Sequence, residues 1–154
     1  MKKLILMCGV PGSGKSTYLA TAAQLEMGEK VISRDIIRFC LIQTKDAYFS
    51  KEKEVFNEYI NQIQEALDTP GIRTVYADAT QVSEKSRMKV LNRLDLSNTK
   101  VYVYWKNTPL QLCLERNAQR TGLQWVPEEQ IRRMYFNMQD PRKDKFEYAG
   151  VQVI

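Results

Sequence analysis

The chain contains no histidine. That single absence excludes Ser-His-Asp and Cys-His triads, His-ligated zinc and an imidazole general base. Any general base must be a carboxylate or, less readily, a lysine or tyrosine. Cysteine is scarce as well. Cys8, Cys40 and Cys113 form an odd set without a CxxC pair, each among apolar neighbours, so they are expected to be reduced, buried thiols of an intracellular protein. No apolar run approaches the roughly 18 residues of a membrane span. Met1-Lys2-Lys3 leads only into a strand-length apolar stretch, so neither a membrane segment nor a signal peptide is expected and the cytoplasm is the expected compartment. Internal repeats, low-complexity tracts and linkers are also missing.

What remains has the make-up of one soluble globular domain over residues 1–154. At this length a chain buries roughly two-thirds of the surface its unfolded form exposes. Apolar residues make up 44% and charged residues 27%, both ordinary for such a domain. The net charge of +5 suits polyanionic ligands, although it fits a merely basic surface equally well.

Lys3 to Gly9 is apolar through its middle, as expected of a strand covered on both faces of a parallel sheet. A helix is expected from Lys15 to about Leu25, then a short strand over Lys30 to Ser33. The next helix, Asp35 to Gln43, is expected to carry Ile36, Ile37, Cys40 and Leu41 on one face. Ser50 is placed to cap a long helix with Val55, Tyr59, Ile63 and Ala66 or Leu67 at helical spacing, stopped by Pro70-Gly71. Ile72 to Ala77 reads as another buried strand, Val82 to Leu94 as a helix and Lys100 to Trp105 as a strand. Thr108-Pro109-Leu110-Gln111 has the form of a capping box opening a helix to about Arg120. After a polar connector, Pro127 opens a helix to about Gln139, and the chain ends in the apolar stretch Gly150 to Ile154. Strands alternating with helices imply an α/β fold, a three-layer sandwich around a mostly parallel sheet.

Gly9-Val10-Pro11-Gly12-Ser13-Gly14-Lys15-Ser16 matches GxxxxGK[ST] between a predicted strand and a predicted helix. Such a loop turns backbone N–H groups toward phosphate oxygens, and the helix N-terminus adds its partial positive charge. Gly12, Ser13, Gly14, Lys15, Ser16 and Thr17 are therefore expected to bind a nucleoside triphosphate, ATP or another NTP, with Lys15 on its β- and γ-phosphates and Ser16 on Mg²⁺. A GTPase should also show an [NT]KxD motif. The nearest string, Asn92-Arg93-Leu94-Asp95, lacks the lysine and lies in a helical pattern.

Phosphoryl transfer to an alcohol requires a group that orients and deprotonates the alcohol, together with cations on the moving phosphoryl group. Asp35 follows the second predicted strand and so lies at the carboxyl edge of the sheet, where open α/β proteins bind ligands. Arg34 is beside it and Arg38 is one helical turn on. A role confined to capping the helix would place Asp35 there equally well. Asp78 ends the third predicted strand and is expected near the metal, directly or through water; Thr80 and Gln81 follow it on the loop, and with Arg34, Asp35, Arg38 and Asp78 they are expected to bind the substrate. Arg116 and Arg120, four apart, are expected on one face of their helix at the mouth of a lid over about 116–127, closing on the triphosphate. Solvated helix arginines are the alternative, and Arg132 and Arg133 are weaker candidates.

Together GVPGSGKST, ISRDIIR (32–38), DATQ (78–81), LERNAQRT (114–121) and VPEEQIRRMY (126–135) resemble the kinase domain of phage and bacterial polynucleotide 5′-hydroxyl kinases, within the adenylate-kinase-like P-loop group. The resemblance runs in order from Lys3 to about Met138. It implies an ATP- and Mg²⁺-dependent transfer to the 5′-OH end of DNA or RNA, in nucleic-acid repair. It further implies that Asp35 is the general base, that Arg38 contacts an acceptor phosphate, and that Arg116 and Arg120 engage the triphosphate from the lid. Where this chain has Gln81, family members often have asparagine. A DxDGT-type phosphatase motif is missing, which implies a stand-alone kinase or an excised domain. Tyr48, Phe49 and Trp125 are candidates to stack on a single-stranded end. A small-molecule kinase and an acceptor-free nucleotide switch are the competing readings.

Overall fold

The computed structural model of the protein describes residues 1–22, 27–42 and 50–154. Five parallel strands lie in the order β2-β3-β1-β4-β5, with β1 Lys2–Cys8, β2 Glu29–Ser33, β3 Thr74–Asp78, β4 Thr99–Trp105 and β5 Gly150–Val153. The central strand β1 pairs with β3 and β4, aligning Met7 with both Asp78 and Tyr104. Its apolar residues Leu4 to Cys8 are buried because helices cover both faces.

One face packs through Leu4, Leu6, Val75, Ala77, Val101 and Val103 against α3 (Glu52–Asp68) and α4 (Glu84–Leu91), with Ile37 of α2 (Arg34–Leu41) joining them. The other face, through Ile5 and Met7, meets Leu19 of α1 (Lys15–Ala22) and is flanked by Tyr76, Tyr102 and Tyr104. A smaller core of Val10, Cys113, Val126 and Ile131 joins the glycine loop to α5 (Leu110–Ala118) and α6 (Glu128–Phe136). This is a three-layer α/β sandwich. Among the described residues no helix is long and apolar enough to cross a membrane.

Several sequence expectations need correction. Cys8 and Cys113 are buried, but Cys40 is exposed. On α2, Ile36, Cys40 and Leu41 face solvent while Ile37 and Arg38 are buried. An ion-pair network, described below, rotates this helix so that its arginine points inward. Helix α3 starts at Glu52 rather than under a Ser50 cap, and Lys51 makes no side-chain capping bond. Ser83 and Ser86 form the capping box of α4. The one expected at Thr108 does not form: Pro109 occupies the cap position of the helix, and the Thr108 hydroxyl points to the glycine loop, donating to the Ser13 carbonyl at 2.7 Å. Helix α5 ends at Ala118, so Arg120 lies beyond it rather than on its face. The ends expected at Leu25 and Gln43 lie outside the described residues.

Candidate active site

A cavity of about 650 Å³ opens at the carboxyl edge of the sheet, within the roughly 300–1,000 Å³ usual for small-molecule sites. One wall is the glycine loop. Gly12 sits at φ +81, and a Cβ there would lie 2.5 Å from the Cys113 carbonyl oxygen, so only glycine fits against α5. Gly14, at φ +100, passes under the Arg116 guanidinium, 3.1 Å from where a Cβ would stand. Arg116 donates to the carbonyls of Gly12 (3.3 Å) and Ser13 (3.1 Å). With the Thr108 bond, these contacts hold the loop to the segment entering α5 and to its last turn. Ser13 is fully buried and does not line the cavity, whereas Gly12, Gly14, Lys15, Ser16 and Thr17 do.

The Lys15 ammonium donates to the Gly9 carbonyl at 2.9 Å and more weakly to that of Val10 at 3.5 Å. Burial pulls its pKa below the ordinary lysine range, opposed by the charges of Asp78 and Asp35. Beneath it, burial pushes the Cys8 thiol up to about 12 against the pull of Arg87 and Lys15, so that sulfur stays neutral and unreactive.

The opposite wall is α2. Ser33 caps it, its hydroxyl accepting from the Ile36 N–H, which leaves Asp35 without a capping duty. The Asp35 side chain is 60% exposed and pairs with Arg38 one turn on. Arg38 also binds Glu52 from the start of α3, with Nη2 donating to Oε2 at 3.1 Å. Arg34 donates to the same carboxylate at 2.8 Å while lying over the Phe56 ring. Burial tends to raise the Glu52 pKa, but the hydrogen bonds and charge of Arg38, and then Arg34, outweigh it and hold the carboxyl below its usual range. Glu52 lines the cavity and was missed by sequence reasoning. Its signal was an unmatched charge, since Arg34 and Arg38 have only Asp35 nearby in sequence.

Between the walls stands Asp78, whose Oδ1 is buried without a hydrogen-bond partner among the described residues. Burial raises its pKa, the charge of Lys15 opposes this, and Asp35 adds to it. An orphaned carboxylate oxygen and the Ser16 hydroxyl on one cavity suit Mg²⁺ that is held chiefly by triphosphate oxygens and water. They do not make a self-sufficient cage, and no group of three or more acidic or sulfur ligands occurs among the described residues. Thr80 lines the cavity, and its carbonyl accepts from the Gly9 N–H at 3.0 Å.

The substrate contact expected of Gln81 is corrected. Gln81 is buried at φ 45, donates to the carbonyls of Met7 (2.8 Å) and Ala77 (3.2 Å), and accepts from the Tyr59 hydroxyl at 3.1 Å. It shapes the loop after Asp78 from behind. Arg87, fully buried, holds the Gln81 carbonyl at 2.9 Å and makes a two-pronged ion pair with Asp144 at 2.7 and 2.8 Å.

Arg120 lines the cavity, and its side chain has no hydrogen bond or ion pair among the described residues. Its segment is anchored by Asn117, which donates to the Val126 carbonyl at 2.8 Å and accepts from its N–H at 3.1 Å. Lys106, which sequence reasoning also missed, follows β4 and brings its aliphatic chain to 3.4 Å from the Cβ position of Gly14. Arg132 pairs with Glu128, and neither it nor Arg133 lines the cavity. Trp125 is 46% exposed and outside the cavity, while Tyr48 and Phe49 lie outside the described residues.

The chain is 32% identical over 143 residues to L-seryl-tRNA(Sec) kinase of Methanococcus maripaludis, an alignment covering 90% of this chain and 53% of that protein. It therefore spans about half the length of this curated relative. Among solved structures, a chain of the Pnkp1/Rnl/Hen1 RNA repair complex superposes with TM-score 0.76 at 20% identity, covering 96% of this chain and 47% of that one. A fungal RNA kinase superposes with TM-score 0.71 at 14% identity, covering 99% and 73%. These likenesses establish the shared fold. The family model described as "AAA domain" matches residues 4–141, and with the phosphate loop and sheet order seen here the chain belongs to that family and has the P-loop kinase fold.

Proposed function

We propose that the protein is a kinase that transfers the γ-phosphoryl group of ATP to the 5′-hydroxyl end of DNA or RNA. The observation that carries this reading is one cavity with the phosphate loop on one wall and Asp35, backed by Arg38, on the other. A switch that only hydrolyses nucleotide has no use for that second wall. The names of the tRNA kinase and RNA kinase relatives favour a nucleic-acid acceptor.

In this mechanism the loop N–H groups and Lys15 hold the β- and γ-phosphates. Ser16 and Asp78 would hold Mg²⁺, directly or through water, and the bound ion would supply charge neutralisation for the transfer. Asp35 accepts the proton of the attacking hydroxyl, which must stand within hydrogen-bond reach of its carboxylate. Arg38 fixes that carboxylate and faces the acceptor's first phosphate. Arg120 turns onto the transferring group, and Arg116 keeps the loop shaped for it. On this reading the protein works in the cytoplasm on broken nucleic-acid ends.

The test is transfer of label from γ-labelled ATP with Mg²⁺ to a 5′-OH oligonucleotide. Asp35→Ala should abolish label on the oligonucleotide, and hydrolysis that persists unchanged without any transfer would refute the reading. The tRNA kinase relative supports a second reading, in which the acceptor is the serine hydroxyl of an aminoacylated tRNA. Supplying seryl-tRNA as acceptor in the same assay separates the two.

A further inference from the structure

Behind the acceptor wall, three cations gather on one aromatic ring. The Phe56 side chain of α3 is buried in the main core. Its ring carries the Arg34 guanidinium at 5.3 Å, the Lys89 ammonium at 4.5 Å and the Arg93 guanidinium at 5.8 Å. The ring attracts each cation, yet the three repel one another. Arg34 lines the cavity beside Asp35, whereas Lys89, on α4, and Arg93, just past its end, lie outside the cavity. Both are exposed, and neither forms an ion pair among the described residues. Arg93 reaches the Asn57 side-chain oxygen at 3.4 and 3.5 Å, the outer limit of a hydrogen bond.

Three carboxylates around this row are engaged elsewhere. Glu52 is taken by Arg34 and Arg38. Glu84 accepts from the Lys145 N–H at 2.6 Å, and Asp95 from the Ser97 N–H at 3.1 Å. Glu52 does not satisfy Arg34 completely either, since the Arg34 Nε is buried without a hydrogen-bond partner among the described residues. Lys85, Lys89 and Arg93 recur at every fourth residue, a spacing at which like charges destabilise a helix. The stripe therefore weakens α4 and adds nothing to the core. Positive charge that begins at the acceptor wall and runs outward suits a polyanion leaving the cavity better than a second small ligand.

We propose that this row seats the phosphodiester backbone of the acceptor beyond its first phosphate. The inference rests on the polynucleotide reading above and deepens it. Arg38 faces the first phosphate, and the strand then passes Arg34 to reach Lys89 and Arg93. The backbone and not the bases is gripped here, so the contribution is independent of sequence and sensitive to salt.

The experiment compares two single-stranded 5′-OH oligonucleotides of the same sequence and length. One has phosphodiesters throughout; the other keeps the first and carries neutral methylphosphonates at every later linkage. The wild-type protein should phosphorylate the charged strand with kcat/KM about fivefold higher or more, as expected of two exposed ion pairs. The double variant Lys89→Ala/Arg93→Ala should bring that ratio toward one, and either single variant should lower it part of the way. In the double variant the slope of log kcat/KM against log salt for the charged strand should also flatten by about 1.4, or about 0.7 for each lost contact. A purely structural role for the two cations would lower Tm without changing that slope. Equal use of both strands by the wild-type protein overturns the backbone row and leaves the kinase reading standing. So does an unaltered ratio and slope in the variants. Label on neither strand refutes the polynucleotide reading and the row with it.

Discussion

Replacing Asp144 by alanine leaves the Arg87 guanidinium charged at a position with no solvent exposure. The wild-type pair makes two charge-assisted bonds at 2.7 and 2.8 Å, and the Tyr148 hydroxyl donates to the same carboxylate at 2.7 Å. Burial works against the Arg87 charge, but the Asp144 hydrogen bond more than offsets it. Removing one partner of such a pair costs about 3–5 kcal/mol, since the desolvated charge stays behind. For a domain of this size that corresponds to a Tm loss of roughly 10 °C, at about 2–4 °C per kcal/mol. Arg87→Met should cost a similar amount, by stranding the carboxylate. The double variant Arg87→Met/Asp144→Leu should be far less damaged than the sum of the two, because no charge is left unpaired. It should not recover fully, since the carbonyls of Gln81 and Gln139 lose their Arg87 donors at 2.9 and 3.1 Å. Urea unfolding followed by circular dichroism gives all four free energies. Additive single-variant losses, or single losses below about 1 kcal/mol, would refute the argument.

Asp78→Asn should make the protein more stable and less active. Because the folded pKa of Asp78 is raised, its ionised form opposes folding at every pH above that value, and asparagine removes the opposition while weakening Mg²⁺ binding. A Tm at pH 7 below that of the wild-type protein would contradict this. Glu52 has the opposite sign. Its depressed pKa gives stability that is complete above its unfolded value of about 4.5 and lost as pH falls through the folded one. The Tm gap between wild type and Glu52→Gln should therefore narrow below that pH, and a constant gap from pH 7 to pH 3 would count against the ion-pair account. Gly12→Ala should reduce nucleotide affinity more than tenfold in calorimetric titration, since φ +81 and the nearby Cys113 carbonyl both exclude a side chain. Arg120→Ala should lower kcat by about 10³ with Tm unaltered. A drop confined to KM would place that arginine in ground-state binding instead.

The alternation of strands and helices, and the donor loop, were legible because local physics fixes both. A buried apolar run makes a parallel strand whatever lies around it, and glycines at fixed offsets can serve only a tight phosphate cradle. Asp35 and Asp78 were legible as residues at strand ends. Glu52 was not, because its part depends on α3 folding back over α2, which no local pattern encodes. Gln81 misled for a similar reason. A polar residue after an active-site aspartate reads as a ligand contact, yet here the surrounding backbone carbonyls claim its amide. Thr108 matched a capping box, but the helix starts one residue late, with Pro109 at its cap position, and the Thr108 hydroxyl is turned to the Ser13 carbonyl. At all three positions long-range hydrogen bonding overrode a local signal.

The bonds that fasten the glycine loop to α5, and the Asn117 clasp on Val126, join Lys15, Arg116 and the Arg120 segment into one mechanical part. Glu52 joins α2 and α3 into another that carries Asp35. On the proposed reading, donor and acceptor dock on separate rigid parts that meet across the sheet edge. The consequence is thermodynamic: binding one substrate has little means of reorganising the site of the other. Two-substrate kinetics should accordingly show random addition, with the apparent affinity for ATP nearly independent of acceptor concentration.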